Sequence, residues 1–124
     1  MGEFHDLNVW QKAHELTIDV YRVTALFPKQ EMYGLVSQMR RCAVSVGSNT
    51  AEGKGRRGDV EFGRFIQIAS GSLTELEYQL LLSKDLKYLP ESDYHAMNAR
   101  LAEINRMLVS LQQKVKPARS GANN

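Results

Sequence analysis

The stretch SDYHAMNARLAEINRMLVSLQQKVK, residues 92–116, carries Tyr94, Met97, Leu101, Ile104, Leu108, Leu111 and Val115 at alternating spacings of three and four. With about 3.6 residues per turn, these seven side chains fall on one face of a helix. A strand cannot use such a pattern, because it turns alternate residues to opposite sides. The stretch therefore reads as a long amphipathic helix whose apolar seam needs a partner.

The same periodicity recurs upstream. Residues 59–88 place Phe62, Ile66, Ala69, Leu73, Leu76 and Leu80 on one stripe, in a helix expected to be on the order of 45 Å long. Residues 33–52 carry Leu35, Met39, Cys42, Val46 and Asn49, with Asn49 as a polar member suited to setting register. Residues 8–26 are expected to turn Trp10, Ala13, Leu16, Thr17, Val20, Tyr21 and Thr24 inward, and Asn8 with Gln11 resembles a capping box. Between these segments stand Pro28, the run Gly53-Lys54-Gly55-Arg56-Arg57-Gly58, and Pro90, with Pro117 after the last.

No window alternates apolar and polar residues for long, and no Asn-Gly or Asp-Gly hairpin turn occurs. Helices joined by short connections pack as antiparallel neighbours, so the expected fold is all-α, an antiparallel up-down-up-down four-helix bundle. At 124 residues and 43% hydrophobic content the chain supports one core, hence a single domain, with a frayed tail at 118–124.

The third segment is more apolar than one stripe requires. Phe65, Ile68, Leu81, Leu82 and Leu86 fall outside it, and consecutive leucines about 100° apart cannot all face one core. Either a second neighbouring helix widens the stripe, or another subunit covers it. Ala69-Ser70-Gly71-Ser72 would let a neighbouring backbone approach closely in either case.

Sixteen Lys and Arg against fourteen Asp and Glu give only +2 overall, so distribution matters more than total charge. Arg40, Arg41, Lys54, Arg56, Arg57 and Arg64 are interrupted by Glu52, Asp59 and Glu61, and no acid follows Glu103, whereas Arg106, Lys114, Lys116 and Arg119 do. These six cations between 40 and 64 are the candidate nucleic-acid-binding residues. A lone cysteine, Cys42, and a start with neither a basic nor an apolar leader pattern point to a cytoplasmic location. No apolar run approaches the roughly 20 residues a membrane helix needs, and Asp6 stands where a myristoylation motif wants Ser or Thr.

The run Gly-Lys-Gly-Arg-Arg-Gly satisfies the literal dinucleotide fingerprint but lacks the strand and βαβ unit that give the fingerprint its meaning. No cofactor is expected. The glycines, the cations and the following helix start could instead hold a phosphate, although Asp59 is a natural cap for the same amides. The opposing reading is a solvated connector. A polar seam of Gln38, Arg41, Ser45, Asn49 and Glu52 runs beside the apolar stripe of the second segment.

Catalysis finds no support. His5, His14 and His95 are scattered, Cys42 sits on an apolar stripe, Glu75 and Glu77 point apart, and no Glu-x-x-His pair suggests a di-iron bundle.

An ordered series of motifs carries a family resemblance. Phe4-x-x-Leu7-x-Val9-Trp10-Gln11-Lys12-Ala13 is followed by Phe27-Pro28-x-x-Glu31-x-Tyr33-Gly34-Leu35-x-x-Gln38-x-Arg40-Arg41. Ser45-x-x-x-Asn49-x-Ala51-Glu52-Gly53 comes next, then Phe65-x-x-Ile68-Ala69-x-Gly71-Ser72-Leu73-x-Glu75-Leu76-Glu77, and finally Tyr88-Leu89. Over roughly residues 4–112 the chain resembles the four-helix bundle proteins encoded by intervening sequences within bacterial 23S ribosomal RNA genes. The resemblance implies a ring-like homopentamer of antiparallel bundles and distant kinship with the accessory protein of diversity-generating retroelements. That accessory protein is a basic pentamer that works with a reverse transcriptase and nucleic acid. The family itself has no established enzymatic activity. Thr50 departs from the pattern, standing where an apolar residue usually precedes Ala-Glu-Gly.

The expected function is thus an oligomeric, non-enzymatic binding protein that contacts RNA or DNA phosphates. The rival is a protein-interaction scaffold without nucleic-acid contact.

Overall fold

The computed structural model describes residues 3–115, so the expected tail at 118–124, together with Lys116 and Pro117, lies outside the described residues. Four helices follow one another with no strand among the described residues: α1 Asn8–Thr24, α2 Leu35–Lys54, α3 Asp59–Asp85 and α4 Glu91–Val115. Two short 3-10 turns, Glu3–Asp6 and Lys29–Glu31, precede α1 and α2.

Cross-helix contacts give the direction of each helix. Thr17 Oγ1 donates to the Ala43 carbonyl at 3.1 Å and Arg40 Nε to Thr24 Oγ1 at 3.0 Å, so α1 rises as α2 descends. Between α2 and α3 the contacts are Ser45–Ser72 at 2.7 Å, Gln79–Cys42 at 3.5 Å and Ser83–Met39 at 3.4 Å. Gly63 lies against Gln112 and Val115, while Lys84 sits over the Tyr94 ring at 4.8 Å. Lys12–Glu103 at 3.9 Å and Arg100–Glu15 at 3.3 Å close the square between α4 and α1. Each sequential pair is antiparallel, as short connections dictate.

The α3 and α4 stripes form the centre. Ile66, Ala69, Leu73, Leu76 and Leu80 meet Met97, Leu101, Ile104 and Leu108, all essentially without solvent contact. Burying such a side chain contributes about 1.5–3 kcal/mol each. Val20, Met39 and Val46 complete the same core from α1 and α2.

Several expectations shift. The Asn8–Gln11 capping box does not form: Leu7 occupies the cap in an extended conformation, and Gln11 Nε2 donates to the His5 carbonyl at 2.7 Å. The preceding 3-10 turn feeds straight into α1, which puts Asn8 inside the helix where its side chain cannot cap. The buried face of α1 is Val9, Ala13, Leu16, Val20, Val23 and Thr24, with Trp10 half-buried and Tyr21 exposed. Both rings lie on the α2 side, Trp10 against Gly47 and Tyr21 beneath the Arg40 guanidinium at 4.6 Å.

In α2 the fully buried polar residue is Thr50, whose Oγ1 donates to the Val46 carbonyl at 2.8 Å, whereas Asn49 is half-buried. Asn49 Nδ2 bonds the Ser45 carbonyl and hydroxyl, and Ser45 in turn reaches Ser72. α2 also runs two residues past the expected end, because Gly53 permits it: a Cβ there would meet Phe65 Cβ at 2.8 Å and Phe62 Cδ1 at 2.9 Å. Only a bare Cα lets α2 and α3 converge that closely before the turn.

Gly58, with φ of 84°, caps α3, a conformation that L side chains avoid. Asp59 is therefore the first helical residue and no side chain caps the helix. α3 stops at Asp85, three residues earlier than expected, in a Schellman arrangement: Tyr88 N–H bonds the Ser83 carbonyl at 3.0 Å and Lys87 N–H the Lys84 carbonyl at 2.9 Å. Lys87 holds the left-handed position, with φ of 68°, that glycine usually fills.

The surplus apolar side chains of α3 are not sheltered within the subunit. Phe65 and Leu82 are half-buried, and Ile68, Leu81 and Leu86 are 44%, 39% and 44% exposed.

Candidate nucleic-acid interface

The six cations singled out in the sequence form two groups. Arg40 and Arg41 lie in the second turn of α2. Lys54 closes the last turn of that helix, Arg56 and Arg57 follow it, and Arg64 lies in the second turn of α3. About 1.5 Å of rise per residue sets the two groups roughly 20 Å apart along α2.

Arg40 is held by the fold. Its Nε donates to Thr24 Oγ1, its Nη2 to the Tyr21 carbonyl at 3.4 Å, and its guanidinium lies over the Tyr21 ring. Arg41 donates to Gln38 Oε1 one turn back. The two Arg40 contacts brace the α1–α2 pairing, whereas the Arg41 bond stays within α2 and that side chain is exposed.

The other end is built differently. Gly53 brings Phe65 against the end of α2, and two guanidiniums lie over that ring, Arg56 at 5.2 Å and Arg64 at 5.4 Å. Stacking of a weakly hydrated guanidinium on an aromatic ring fixes its plane. Each also holds one carboxylate, Arg56 with Glu52 at 2.6 Å and Arg64 with Glu61 at 3.1 Å. An arginine has five N–H donors, so both keep outward donors after these bonds. Lys54 and Arg57 are exposed and have no carboxylate partner among the described residues. With the Arg56–Glu52 and Arg64–Glu61 pairs neutralised, Lys54 and Arg57 outnumber the exposed Asp59, so this end carries a small positive excess, with Arg56 and Arg64 beside it.

Lys114 and Arg106 lie at the same end, where α4 finishes beside the start of α1. With Leu7, Val9, Met107 and Leu111 they line an open cleft of about 490 Å³. Lys116 and Arg119, the remaining cations of the acid-free C-terminal run, lie outside the described residues.

Reasoning from the sequence missed the aromatic cluster at the start of the chain. Phe4 stacks on His5 with centroids 4.1 Å apart and meets Trp10 edge-on at 4.9 Å; His14 stacks on Trp10 at 5.1 Å. Phe4 also borders a cleft of about 470 Å³ shared with Ser48, Glu52, Lys54 and Arg56. The signal was present, since FHDLNVW places aromatic residues at 4 and 10 beside a histidine. Nothing in that segment says that it folds against the end of α2.

At the opposite end, a groove of about 600 Å³ includes Tyr21, Met32, Tyr33, Arg41 and Val44. Tyr33 is 96% exposed there, and Leu26 on the same turn region is 86% exposed.

Among the described residues no three His, Cys, Asp or Glu side chains could hold a metal ion. Cys42 is buried, accepts a bond from Gln79 Nε2 at 3.5 Å, and burial pushes its thiol above the usual range. No described helix is long and apolar enough to cross a membrane.

The fold defines a class: an all-α four-helix bundle, here with basic and aromatic residues lining open clefts on its surface. Within that class, residues 5–110 match the 23S rRNA-intervening sequence proteins, and the chain belongs to that family. It is similar to a crystal structure from Bacteroides thetaiotaomicron VPI-5482, described as a protein with unknown function from the S23 ribosomal protein family. Identity is 25% over 85% of this chain and 95% of that one, with a TM-score of 0.78. No curated protein matches the chain.

Proposed function

We propose that the protein is a non-enzymatic, cytoplasmic, homo-oligomeric binding protein whose basic end contacts RNA or DNA phosphates. The observation that carries this reading is the pair Lys54 and Arg57, without carboxylate partners among the described residues, beside two guanidiniums over the Phe65 ring. A subunit with only +2 net charge binds a polyanion weakly alone. Assembly into the homopentamer implied by the family resemblance repeats the patch, and linked copies on one strand raise the effective concentration of each contact. The exposed Ile68 and Leu81 of α3, with Leu86 just past its end, support such assembly, since unpartnered apolar surface marks an interface. In this reading Arg40 is structural at the opposite end, and Arg41 stands exposed beside it.

Binding to mixed-sequence RNA and DNA across a salt titration tests it. Affinity falls steeply with salt, and the K54E/R57E double variant makes the log–log slope shallower by roughly 0.7 for each phosphate it no longer neutralises. Absence of binding in dilute buffer removes the proposal. Light scattering of the purified protein tests assembly, and a monomer removes that part.

The Tyr33 groove favours a second reading, a scaffold that docks a protein. Exposed tyrosines beside arginines are favoured anchors of protein interfaces. Under this reading Tyr33→Ala abolishes capture of a protein partner that R56E/R57E leaves intact.

A further inference from the structure

We infer that the cleft floored by Phe4 takes an unpaired base, so that the ligand of the basic end is single-stranded nucleic acid rather than duplex. The inference rests on the phosphate-binding reading above and specifies its substrate class.

Three features meet at this cleft. Its aromatic lining is Phe4, half-buried, with His5 stacked on the ring at 4.1 Å and Trp10 edge-on at 4.9 Å. Such a backed ring is a rigid stacking surface, and stacking is tolerant of base identity because every base has a π face. Its opposite wall is the last two turns of α2, with the exposed Ser48 hydroxyl available to a base edge. Its rim carries Lys54 and Arg56, with Arg57 next along the turn. Glu52 also lines the cleft, but Arg56 holds it in an ion pair, so the excess charge among the lining residues is that of Lys54.

The arrangement combines an aromatic face with adjacent cations, which is how single-strand binders hold a base and its flanking phosphates. A paired base in a duplex keeps both faces covered by its neighbours and cannot enter. The volume, about 470 Å³, lies within the range of small-ligand sites of roughly 300–1,000 Å³. Phe65 with its two arginines continues the same theme past the turn, on the α3 side of the loop.

The test compares binding of a labelled mixed-sequence single strand with a blunt duplex of equal length, using the full chain. The single strand binds tighter, and it quenches Trp10, the chain's one tryptophan, whose ring contacts Phe4. Phe4→Leu keeps apolar bulk but lacks a stacking face and weakens single-strand binding by roughly 5- to 150-fold, leaving duplex binding unchanged. Phe4→Tyr retains the affinity. A merely structural Phe4 gives the opposite pattern, with Phe4→Leu behaving as the parent. If Phe4→Leu keeps the single-strand preference, or if the parent prefers duplex, the base-stacking inference falls while phosphate binding stands. If the parent binds neither probe in dilute salt, the underlying reading falls as well.

Discussion

Replacing Gly53 with alanine isolates the contact on which the basic end is built. A Cβ at Gly53 would stand 2.8 Å from Phe65 Cβ, 2.9 Å from Phe62 Cδ1 and 3.4 Å from the Phe62 carbonyl. The first of these neighbours is anchored directly to backbone, so relief requires α2 and α3 to move apart, and overpacking of this kind costs about 1–3 kcal/mol. Alanine's better helix propensity offsets at most about 1 kcal/mol of that near a helix end. The expected net destabilisation is about 1–2 kcal/mol, a fall in melting temperature of roughly 3–8 °C. Gly47→Ala in the same helix is the matched control. Its Cβ would meet only the Trp10 ring, at 3.6 Å, an ordinary contact, so the propensity gain survives and this variant is stabilised by about 0.5–1 kcal/mol. Thermal and urea unfolding followed by far-ultraviolet circular dichroism measure both. If the two variants have equal stability, the close approach at Gly53 is not present in solution and the Phe65 stack loses its foundation.

Lys87→Gly removes the cost of a left-handed L residue in the Schellman turn and stabilises the fold by about 0.5–1 kcal/mol in urea unfolding. The Cys42 thiol, buried and raised by burial, stays unreactive toward an aromatic disulfide reagent at pH 8 and reacts only at the rate of unfolding; prompt reaction in native buffer contradicts its place in the core. Tyr88 donates to Glu31 Oε2 at 2.9 Å, and this bond, followed by burial, raises its pKa above the ordinary 10.0. A raised folded pKa means that the contact stabilises fully below about pH 10 and is lost as pH rises through the folded value, so Tyr88→Phe flattens the alkaline limb of a stability–pH curve. On the outer face of α3, Gly71 has nothing within 4 Å of a Cβ in the isolated subunit. Gly71→Ala therefore stabilises a dissociated subunit, and a weakened assembly in light scattering would place a second subunit against that face.

Most of the helical periodicity of α3 and α4 was legible, because a stripe at three-four spacing is a local property. The residues expected inward from Ile66 to Leu80 and from Met97 to Leu108 are buried, while Phe62, Tyr94 and Leu111 are half-buried and the polar Gln79 and Ser83 join the core unannounced. Short connections then determined the antiparallel order. In α1 the same logic misplaced the face by about one residue, since Trp10 and Tyr21 look apolar by residue type yet their rings pack at the α2 edge, where Gly47 and Arg40 receive them. Nothing local distinguishes a tryptophan bound for the centre from one bound for an interhelical margin.

Charges were the least legible. The sequence alone determined that cations gather between 40 and 64; only the tertiary structure decided that Arg40 braces α1, that Arg56 and Arg64 share the Phe65 ring, and that Lys54 and Arg57 have no carboxylate partner among the described residues. The reason is physical. Helix formation and the choice of buried stripe depend on neighbours within about one turn, whereas the state of a long cationic side chain depends on what another helix sets beside it. The Phe4 cleft exists only because the start of the chain folds against the end of α2, some fifty residues away in sequence.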